Sequence, residues 1–429
     1  MSLKSTWTSR LPAWLVGSGV IAVAMGVMNV GTYAFTMIAA RLLGPRDYGA
    51  LAAVMGLLLV LSVLALALQA TAARRVAAAP GDLSEIESQI LVASYRSALV
   101  LAAVTLLLVP VVTHVLRLDT WVTAVLVAAT VVPMTVMGGQ AGVLQGERRW
   151  HALAAIYLAL GLGRLLFGVV AMLLRPDPVG AMIGVAVGAV VPAVIGHLAL
   201  RHPSRRAASP VIPVQQASDR GVLHELGHSS HALLAFFALS NADVLIARGA
   251  LDDRQSGLYA AGLILAKAVL FLPQFVTVLA FPAMSSPQAR GSTHLKALGM
   301  VLGIGALATL AAWLLSPLAI AFVGGREYAA VEPVLWLFSA IGTLLAMIHL
   351  MVYNVLARQH RRSVVVVWTG LAVLVAIGVL AGSPTFLAVV VTSVLAAVLV
   401  VLFLLSLRGS RPFDGAGRWP AFSGRRRAS

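Results

Sequence analysis

The sequence has 429 residues, of which 60% are hydrophobic and only 11% are charged, and its mean hydropathy is +0.95. This composition excludes an ordinary soluble globular protein. The formal net charge of +16 is typical of a nucleic-acid-binding protein, unless the membrane topology accounts for it. The chain has no cysteine, which excludes a disulfide framework and a thiolate metal site.

Apolar runs of about 20 residues, the length of helix that crosses a bilayer, repeat along the whole chain. They predict twelve transmembrane helices, at 14–40, 49–72, 89–113, 121–146, 152–174, 179–200, 228–248, 257–281, 295–323, 331–356, 363–381 and 384–407. Helices are predicted because the apolar runs are continuous, whereas barrel strands would alternate polar and apolar residues over about ten positions. The first run continues into the next span, as expected for a bundle helix rather than a cleaved signal peptide.

The charges separate when the twelve spans alternate sides with both termini in the cytoplasm. Most of the 31 Lys and Arg residues then lie on the cytoplasmic side, while the 15 acidic residues divide evenly. This distribution follows the positive-inside rule, and the end of the chain, GRRRAS, is expected to rest on the anionic inner leaflet. We therefore predict a multi-pass protein of the cytoplasmic (inner) membrane whose basic surfaces contact membrane lipids and not nucleic acid.

The longest polar segment, HPSRRAASPVIPVQQASDRG, lies between the sixth and seventh spans and has the composition of a linker. The predicted domains are an N-terminal six-helix lobe at 1–201, a cytoplasmic linker at 202–227, a C-terminal six-helix lobe at 228–407 and a basic cytoplasmic tail at 408–429. The first hairpins of the two halves, IAARLLGPRDYGALAAV and LIARGALDDRQSGLYAAGL, share one pattern. Six spans per half leave both halves in the same orientation. The predicted fold is therefore an all-α polytopic membrane protein with two lobes related by a pseudo-two-fold axis along the membrane normal.

Two cations near the middle of spans are the main candidate site residues. They are Arg164 in LALGLGRLLFGVVAML and Lys267 in YAAGLILAKAVLFLP, and neither has an acidic neighbour in sequence. A charge at bilayer depth costs about 3 kcal/mol or more, so it normally faces a wet cavity. Because Arg and Lys both suit phosphate, these residues predict binding of an anionic substrate. Arg96 is a third candidate, although it lies near enough to the cytoplasmic end of its span to reach the headgroups.

The fifth span places a tyrosine and two glycines on the same face as its arginine. Tyr157, Gly161, Arg164 and Gly168 follow at steps of four, three and four residues. We expect Tyr157 to contribute to substrate binding. The alternative is that the glycines only pack against another helix and that Arg164 pairs with Asp243 of the other lobe.

Further polar candidates lie on the eighth and first spans. Gln274 is seven residues after Lys267 and therefore shares its helix face. Asn29 and Tyr33 belong to a polar stripe on the first span, which suits a hydroxyl-rich sugar. Interhelical hydrogen bonding is the alternative for this stripe.

Asp243, in SNADVLIAR, is the only acidic residue that the predicted topology places within a span. Burial would favour its protonated form, and a cationic partner would favour the carboxylate. It is therefore a candidate ion-coupling residue, with a structural ion pair as the alternative.

A possible metal site is suggested by HELGH, in which His224, Glu225 and His228 match the H-E-x-x-H motif of zinc metalloproteases. The motif lies beside the linker, without a convincing third ligand or an acid-rich cluster. An intramembrane zinc metalloprotease is therefore a remote alternative, and the sequence otherwise predicts no enzyme, no cofactor and no metal.

Several segments resemble the polysaccharide-flippase branch of the MOP superfamily, whose relatives are the MATE transporters. These segments are ARLLGPRDYG, ARRVA after the second span, NADVLIARGALDDRQSGLYAAGLILAKAVLFLP, FPAMS and VYNVLARQHRR. The resemblance implies a twelve-helix transporter that moves a polyprenyl-diphosphate-linked oligosaccharide, or a related cell-envelope glycolipid precursor, by alternating access. It also implies polysaccharide-assembly proteins as partners.

Two other classes remain open beside the flippase and the metalloprotease. A MATE-type multidrug or cation antiporter would need buried acids, whereas these spans hold three cations and one carboxylate. A non-catalytic scaffold for envelope assembly would not need cations in the middle of its spans.

Overall fold

The computed structural model describes the backbone of residues 13–78, 83–201, 222–284, 292–358 and 361–408. It describes side chains over 19–78, 83–201, 231, 233–271, 296–352 and 363–406. The predicted linker at 202–227 and tail at 408–429 lie almost wholly outside the described residues.

The first half of the chain forms seven helical segments. They are α1 (Ala13–Leu61), α2 (Val63–Ala78), α3 (Leu83–Leu107), α4 (Val109–Val115), α5 (Trp121–Gly146), α6 (Trp150–Leu174) and α7 (Pro178–Arg201). The second half forms α8 (Val222–Ala250), α9 (Asp253–Met284), α10 (Ser292–Leu314), α11 (Ser316–Val323), a 3-10 segment (Arg326–Val334), α12 (Leu335–Arg358), α13 (Arg361–Gly378) and α14 (Pro384–Arg408). The described part of the chain contains no strand.

These segments confirm the predicted architecture of about twelve membrane-spanning helices. Over the described residues, 9 continuous segments are long and apolar enough to span a bilayer, and one of them, Gly19–Ala78, holds two passes. The shorter α13 and the helix α9 supply the remaining two. The fourth span was predicted at the bounds that α5 has, and the fifth and sixth agree with α6 and α7 within two residues.

The first hairpin owes its bend to Gly44 and Pro45 in α1. Gly44 has φ 68° and ψ 175°, a conformation that glycine adopts without steric cost. Pro45 then opens the second pass, where its missing N–H is not needed. The helix from Ala13 to Leu61 is therefore divided at this kink into two passes with almost no loop between them.

The helices of each half pack mainly against one another and form two lobes. In the first half, α6 packs against α1 and α7, and α5 packs against α2, α3 and α7. In the second half, α12 packs against α9, α10 and α14, and α13 packs against α8 and α14. The lobes meet where α1 packs against α8 and α9.

Glycines allow the two lobes to approach closely along this seam. A Cβ atom at Gly49 would lie 2.8 Å from the backbone nitrogen of Gly257, and one at Gly56 would lie 2.6 Å from Cγ1 of Val244. The two first hairpins, which resemble each other in sequence, are thus the elements that pack together. Small residues at such seams are typical of helix association in membranes.

We call the end of the bundle where α1 bends at Gly44 and where α8 turns into α9 the hairpin face. There, Arg117 of the first lobe and Arg248 of the second exchange hydrogen bonds. Nε of Arg248 donates to the carbonyl of Leu116 at 2.9 Å, and Nη2 donates to the carbonyl of Arg117 at 2.9 Å. In return, Nε of Arg117 donates to the carbonyl of Arg248 at 3.0 Å. Arg117 has φ 44°, which is uncommon for a residue other than glycine, and this conformation supports the exchange.

Further contacts across the lobes lie at the same face. The Tyr328 hydroxyl donates to the carbonyl of Ala40 at 2.7 Å, and the Arg41 guanidinium donates to the carbonyl of Ala321. Tyr328 is fully buried, so its hydrogen bond is shielded from water. The lobes are therefore joined at the hairpin face.

Candidate functional site

The side chains of α8 and α9 form the centre of the candidate site. Among their described side chains, no large hydrophobic residue is exposed, whereas α6 exposes Leu162, Leu166 and Leu173. The described parts of α8 and α9 therefore lie in the interior of the bundle. A polar side chain on them faces protein or an internal cavity.

Asp243 of α8 is buried, with only 2% of its surface exposed. One carboxylate oxygen accepts a hydrogen bond from the backbone N–H of Val244 at 2.8 Å, and the other accepts one from the Tyr259 hydroxyl at 3.3 Å. Tyr259 is held in place by an edge-to-face contact with Phe338, with ring centroids 5.1 Å apart. Both oxygens of the carboxylate thus have a neutral donor.

Lys267 of α9 is half-buried and donates a hydrogen bond from Nζ to Oδ1 of Asn241 at 3.2 Å. No carboxylate of the described residues lies within 4.0 Å of this ammonium group. The charge of Asp243 still acts on Lys267 at longer range. The lysine is therefore held by a neutral amide.

Arg164 of α6 faces away from the lipid-exposed side of its helix. It lies two residues, slightly more than half a turn, from both Leu162 and Leu166, which are exposed. The guanidinium is half-buried, and within the described part of the chain it has neither an ion pair nor a hydrogen-bond partner. The ion pair with Asp243 that the sequence left open is not formed among these residues.

The two cations come from different halves of the chain and share one electrostatic environment. The charge of Asp243 acts on Lys267 at longer range, and to a smaller degree so does that of Arg164. Two cations and one carboxylate leave this group with a net positive charge when all three are ionised. Such a site can bind an anion, because the charge of the anion would offset the excess positive charge.

Tyr33 of α1 lies at the same place on the lobe seam. Its hydroxyl is buried and faces the backbone of Ala268, the residue after Lys267. Asn29 lies one turn away and is half-buried. Tyr33 therefore lies beside the backbone of α9 next to the lysine, its hydroxyl has no hydrogen-bond partner among the described residues, and Asn29 extends the same stripe along α1.

Tyr157 takes part in a separate polar contact within the first lobe. Nε2 of Gln69 donates to the Tyr157 hydroxyl at 2.8 Å and to Oε1 of Gln145 at 2.9 Å. The glycines on the same face of α6 pack against α1, because a Cβ atom at Gly161 would lie 2.5 Å from Cα of Met28. For Gly161, the helix-packing alternative therefore applies.

Arg96 is not brought to this site, and two other sequence candidates have side chains outside the described residues. Arg96 is exposed on the same side of α3 as Val92 and Leu99, which are also exposed. The side chain of Gln274 lies outside the described residues, as do those of the HELGH motif. Among the described residues, no cluster of three or more His, Asp or Glu could hold a metal ion.

Sequence reasoning missed Asn241 and Tyr259, which hold the two charged groups. Asn241 stands two residues before Asp243 in SNADVLIAR, and a neutral amide in an apolar helix is a signal that could have identified it. Its pairing with Lys267, 26 residues later, depends on how α8 and α9 pack. No spacing rule provides that contact.

Comparison with solved structures identifies the class of fold. No protein-family model matches the sequence, and no curated protein matches it. A multidrug resistance MATE family transporter of the MOP superfamily in an inward-facing conformation matches with a TM-score of 0.65 and 12% sequence identity, covering 92% of this chain and 97% of the other. An outward-facing conformation of a MATE family transporter of the MOP superfamily matches with a TM-score of 0.60 and 11% identity, covering 92% and 95%. The MATE multidrug transporter DinF-BH, solved in a complex, matches with a TM-score of 0.59 and 12% identity, covering 94% and 97%.

These similarities define the architecture as the two-lobed fold of MATE transporters. This fold has been solved in both inward-facing and outward-facing conformations. At 11% to 13% identity, the similarity establishes the fold and leaves the cargo to be argued from the site.

Proposed function

We propose that this protein is a flippase that moves a polyprenyl-diphosphate-linked oligosaccharide, or a related envelope glycolipid precursor, across the cytoplasmic membrane by alternating access. Arg164 and Lys267 bind the diphosphate. Tyr33 and Asn29 line the path beside them and contact the saccharide. The charge distribution supports a topology with both termini in the cytoplasm. Polysaccharide-assembly proteins would supply the cargo.

One observation carries the proposal: two half-buried cations, one from each half of the chain, have no carboxylate of the described residues within 4.0 Å. Their mutual repulsion is unfavourable in the absence of an anion. A diphosphate between them would replace this repulsion with charge-assisted hydrogen bonds. Arg164 would donate two parallel bonds, and Lys267 would act as a compact point charge. Because the cations lie on opposite sides of the lobe seam, such a ligand would bridge the lobes.

Multidrug transport is the second candidate, because the matched structures include multidrug transporters. A cationic drug would require an accessible acid, and Asp243 is the buried acid of the site. Its two oxygens already accept hydrogen bonds, and it lies in the field of Lys267. This arrangement favours an anionic cargo over a cationic one.

Transport in proteoliposomes tests the proposal. Arg164→Ala and Lys267→Ala should each abolish translocation of an undecaprenyl-diphosphate-linked oligosaccharide and leave the folded protein in the membrane. Arg96→Ala is the matched control, since it also removes a cation from an apolar span, but from an exposed face. It should transport like the parent.

Two results would overturn the proposal. The first is unchanged translocation in both the Arg164 and Lys267 variants. The second is robust transport of ethidium, a cationic drug, by the parent with no transport of the lipid-linked saccharide, which would favour the multidrug candidate.

A further inference from the structure

The amide that holds the Lys267 ammonium is fixed in one orientation. Asn241 is 3% exposed, and its Nδ2 donates to the carbonyl of Phe237 at 2.9 Å and to Oγ of Ser240 at 3.2 Å. Both amide hydrogens are thereby engaged, so the remaining oxygen is the group that faces the lysine. The hydrogen-bond pattern leaves no equivalent arrangement with the amide reversed.

The carboxylate of the same helix is held away from this contact. Asn241 and Asp243 are two residues apart on α8, so their side chains leave the helix on nearly opposite sides. Asp243 is bound by Val244 and Tyr259, whereas Lys267 lies on the Asn241 side. The lysine therefore has the neutral residue as its contact, and the acidic residue acts on it from beyond 4.0 Å.

The seam between the lobes packs directly on this turn of α8. A Cβ atom at Gly56 of α1 would lie 3.8 Å from Cβ of Asn241 and 2.6 Å from Cγ1 of Val244. Asn241 thus contacts Lys267 and also lies against the other lobe. A change at this residue alters the charge of the site without moving either helix, provided that the volume is kept.

From this geometry we infer that Asn241 is a positioning residue that keeps Lys267 in place, without an ion pair, for a diphosphate ligand. This inference rests on the proposed function. A carboxylate at the same position would pair with the lysine and oppose the anion. An amide positions the ammonium group and leaves its charge available, and its neutrality is therefore a requirement of the site.

The test is equilibrium binding of farnesyl diphosphate to the purified full-length protein in detergent. Asn241→Asp, which keeps the shape of the side chain, should weaken binding by about tenfold or more, because a like charge would face the ligand. Asn241→Ala should weaken binding by only about threefold or less, since Lys267 keeps its charge and loses one neutral hydrogen bond. A purely structural role would reverse this order, since truncation to Ala would then be the more harmful change.

A double variant separates failure of this inference from failure of the proposed function. If Lys267→Ala leaves farnesyl diphosphate binding unchanged, the proposed function fails. If Lys267→Ala weakens binding but Asn241→Asp does not, only the role of Asn241 is refuted. When Lys267→Ala weakens binding, adding Asn241→Ala to it should cause no further loss, because Asn241 acts through the lysine; additive losses would contradict the inference. Thermal unfolding of each variant verifies that it is folded.

Discussion

The contact at the hairpin face makes a prediction about the conformational equilibrium of the lobes. The Arg248 side chain is 3% exposed and makes two hydrogen bonds to carbonyls of the other lobe, each of 2.9 Å. Its Nη1 also pairs with Asp253 of its own lobe at 3.1 Å. Arg248→Ala removes these two of the hydrogen bonds across the lobes and leaves two carbonyls without their donor, whereas the bond from Arg117 to the backbone carbonyl at position 248 remains.

The size of the effect follows from these two bonds. A hydrogen bond from a charged group contributes about 1.5 to 3 kcal/mol, so two of them stabilise the joined state by about 3 to 6 kcal/mol. Water entering the vacated space would satisfy the carbonyls in part, which makes the lower value the better expectation. A shift of about 3 kcal/mol towards separated lobes corresponds to a change of about a hundredfold in the equilibrium constant.

The chain has no cysteine, so engineered cysteines can be spin-labelled without background. Labels at Trp121 and Arg254, which are exposed on opposite lobes at this face, report its opening by double electron–electron resonance. Arg248→Ala should add a population at longer distance in this labelled pair. Arg46→Ala is the matched control, because this arginine is 64% exposed and pairs with Asp253 across the lobes at 3.7 Å. Exposed pairs contribute about 0 to 1 kcal/mol, so its distances should hardly change.

Two outcomes would refute this reasoning about the hairpin face. One is the same distance distribution in Arg248→Ala and in the parent. The other is an equal opening in Arg46→Ala, which would show that burial of the arginine does not determine its contribution.

Two further predictions concern coupling and packing. Asp243→Asn keeps a side-chain oxygen for the Tyr259 hydroxyl but removes the charge of the carboxylate. Transport should therefore lose its dependence on a proton or sodium gradient. Equal gradient sensitivity in mutant and parent proteoliposomes would rule out a coupling role. Gly161→Ala should destabilise the first lobe by about 1 to 3 kcal/mol, because the new Cβ atom would overlap Met28. Thermal unfolding measures this loss, and Gly303→Ala is the control, because a Cβ atom there meets nothing within 4 Å. If Gly161→Ala were as stable as Gly303→Ala, the packing argument would be contradicted.

The sequence predicted the helices well because each pass is specified locally. An apolar run of sufficient length, a Gly-Pro pair such as Gly44 and Pro45, and short polar segments define where helices begin and end. The resemblance between the two first hairpins also pointed to two lobes. Each helix signal extends over a few tens of residues at most, and the hairpin resemblance compares two such short stretches, so no knowledge of tertiary packing was required.

The candidate site was harder to predict because it depends on which sides of the helices face each other. Arg96 and Arg164 are both cations within apolar spans, yet one is exposed among Val92 and Leu99 and the other faces inward. The sequence alone does not show which side of each helix faces lipid. In the structure, the exposed leucines of α6 identify that side, and Arg164 lies opposite them. Likewise, the sequence offered Arg164 as a partner of Asp243, whereas the packing of α8 on α9 places the Tyr259 hydroxyl on the carboxylate and leaves Lys267 as a charge beyond 4.0 Å.

A single helix connects the contact at the hairpin face to the candidate site. α8 carries Asn241 and Arg248 seven residues apart, about 10 Å along the helix, and is continuous between them. Arg248 is bonded to the other lobe, and Asn241 holds the lysine at the seam. Because a helix of this length moves as a rigid body, separating the lobes at Arg248 also displaces Asn241 relative to α1, where Gly56 packs on the same turn. The position of Lys267 and Asn241 relative to the first lobe therefore depends on whether the lobes are joined, which is the relation that a ligand bound between the lobes would use.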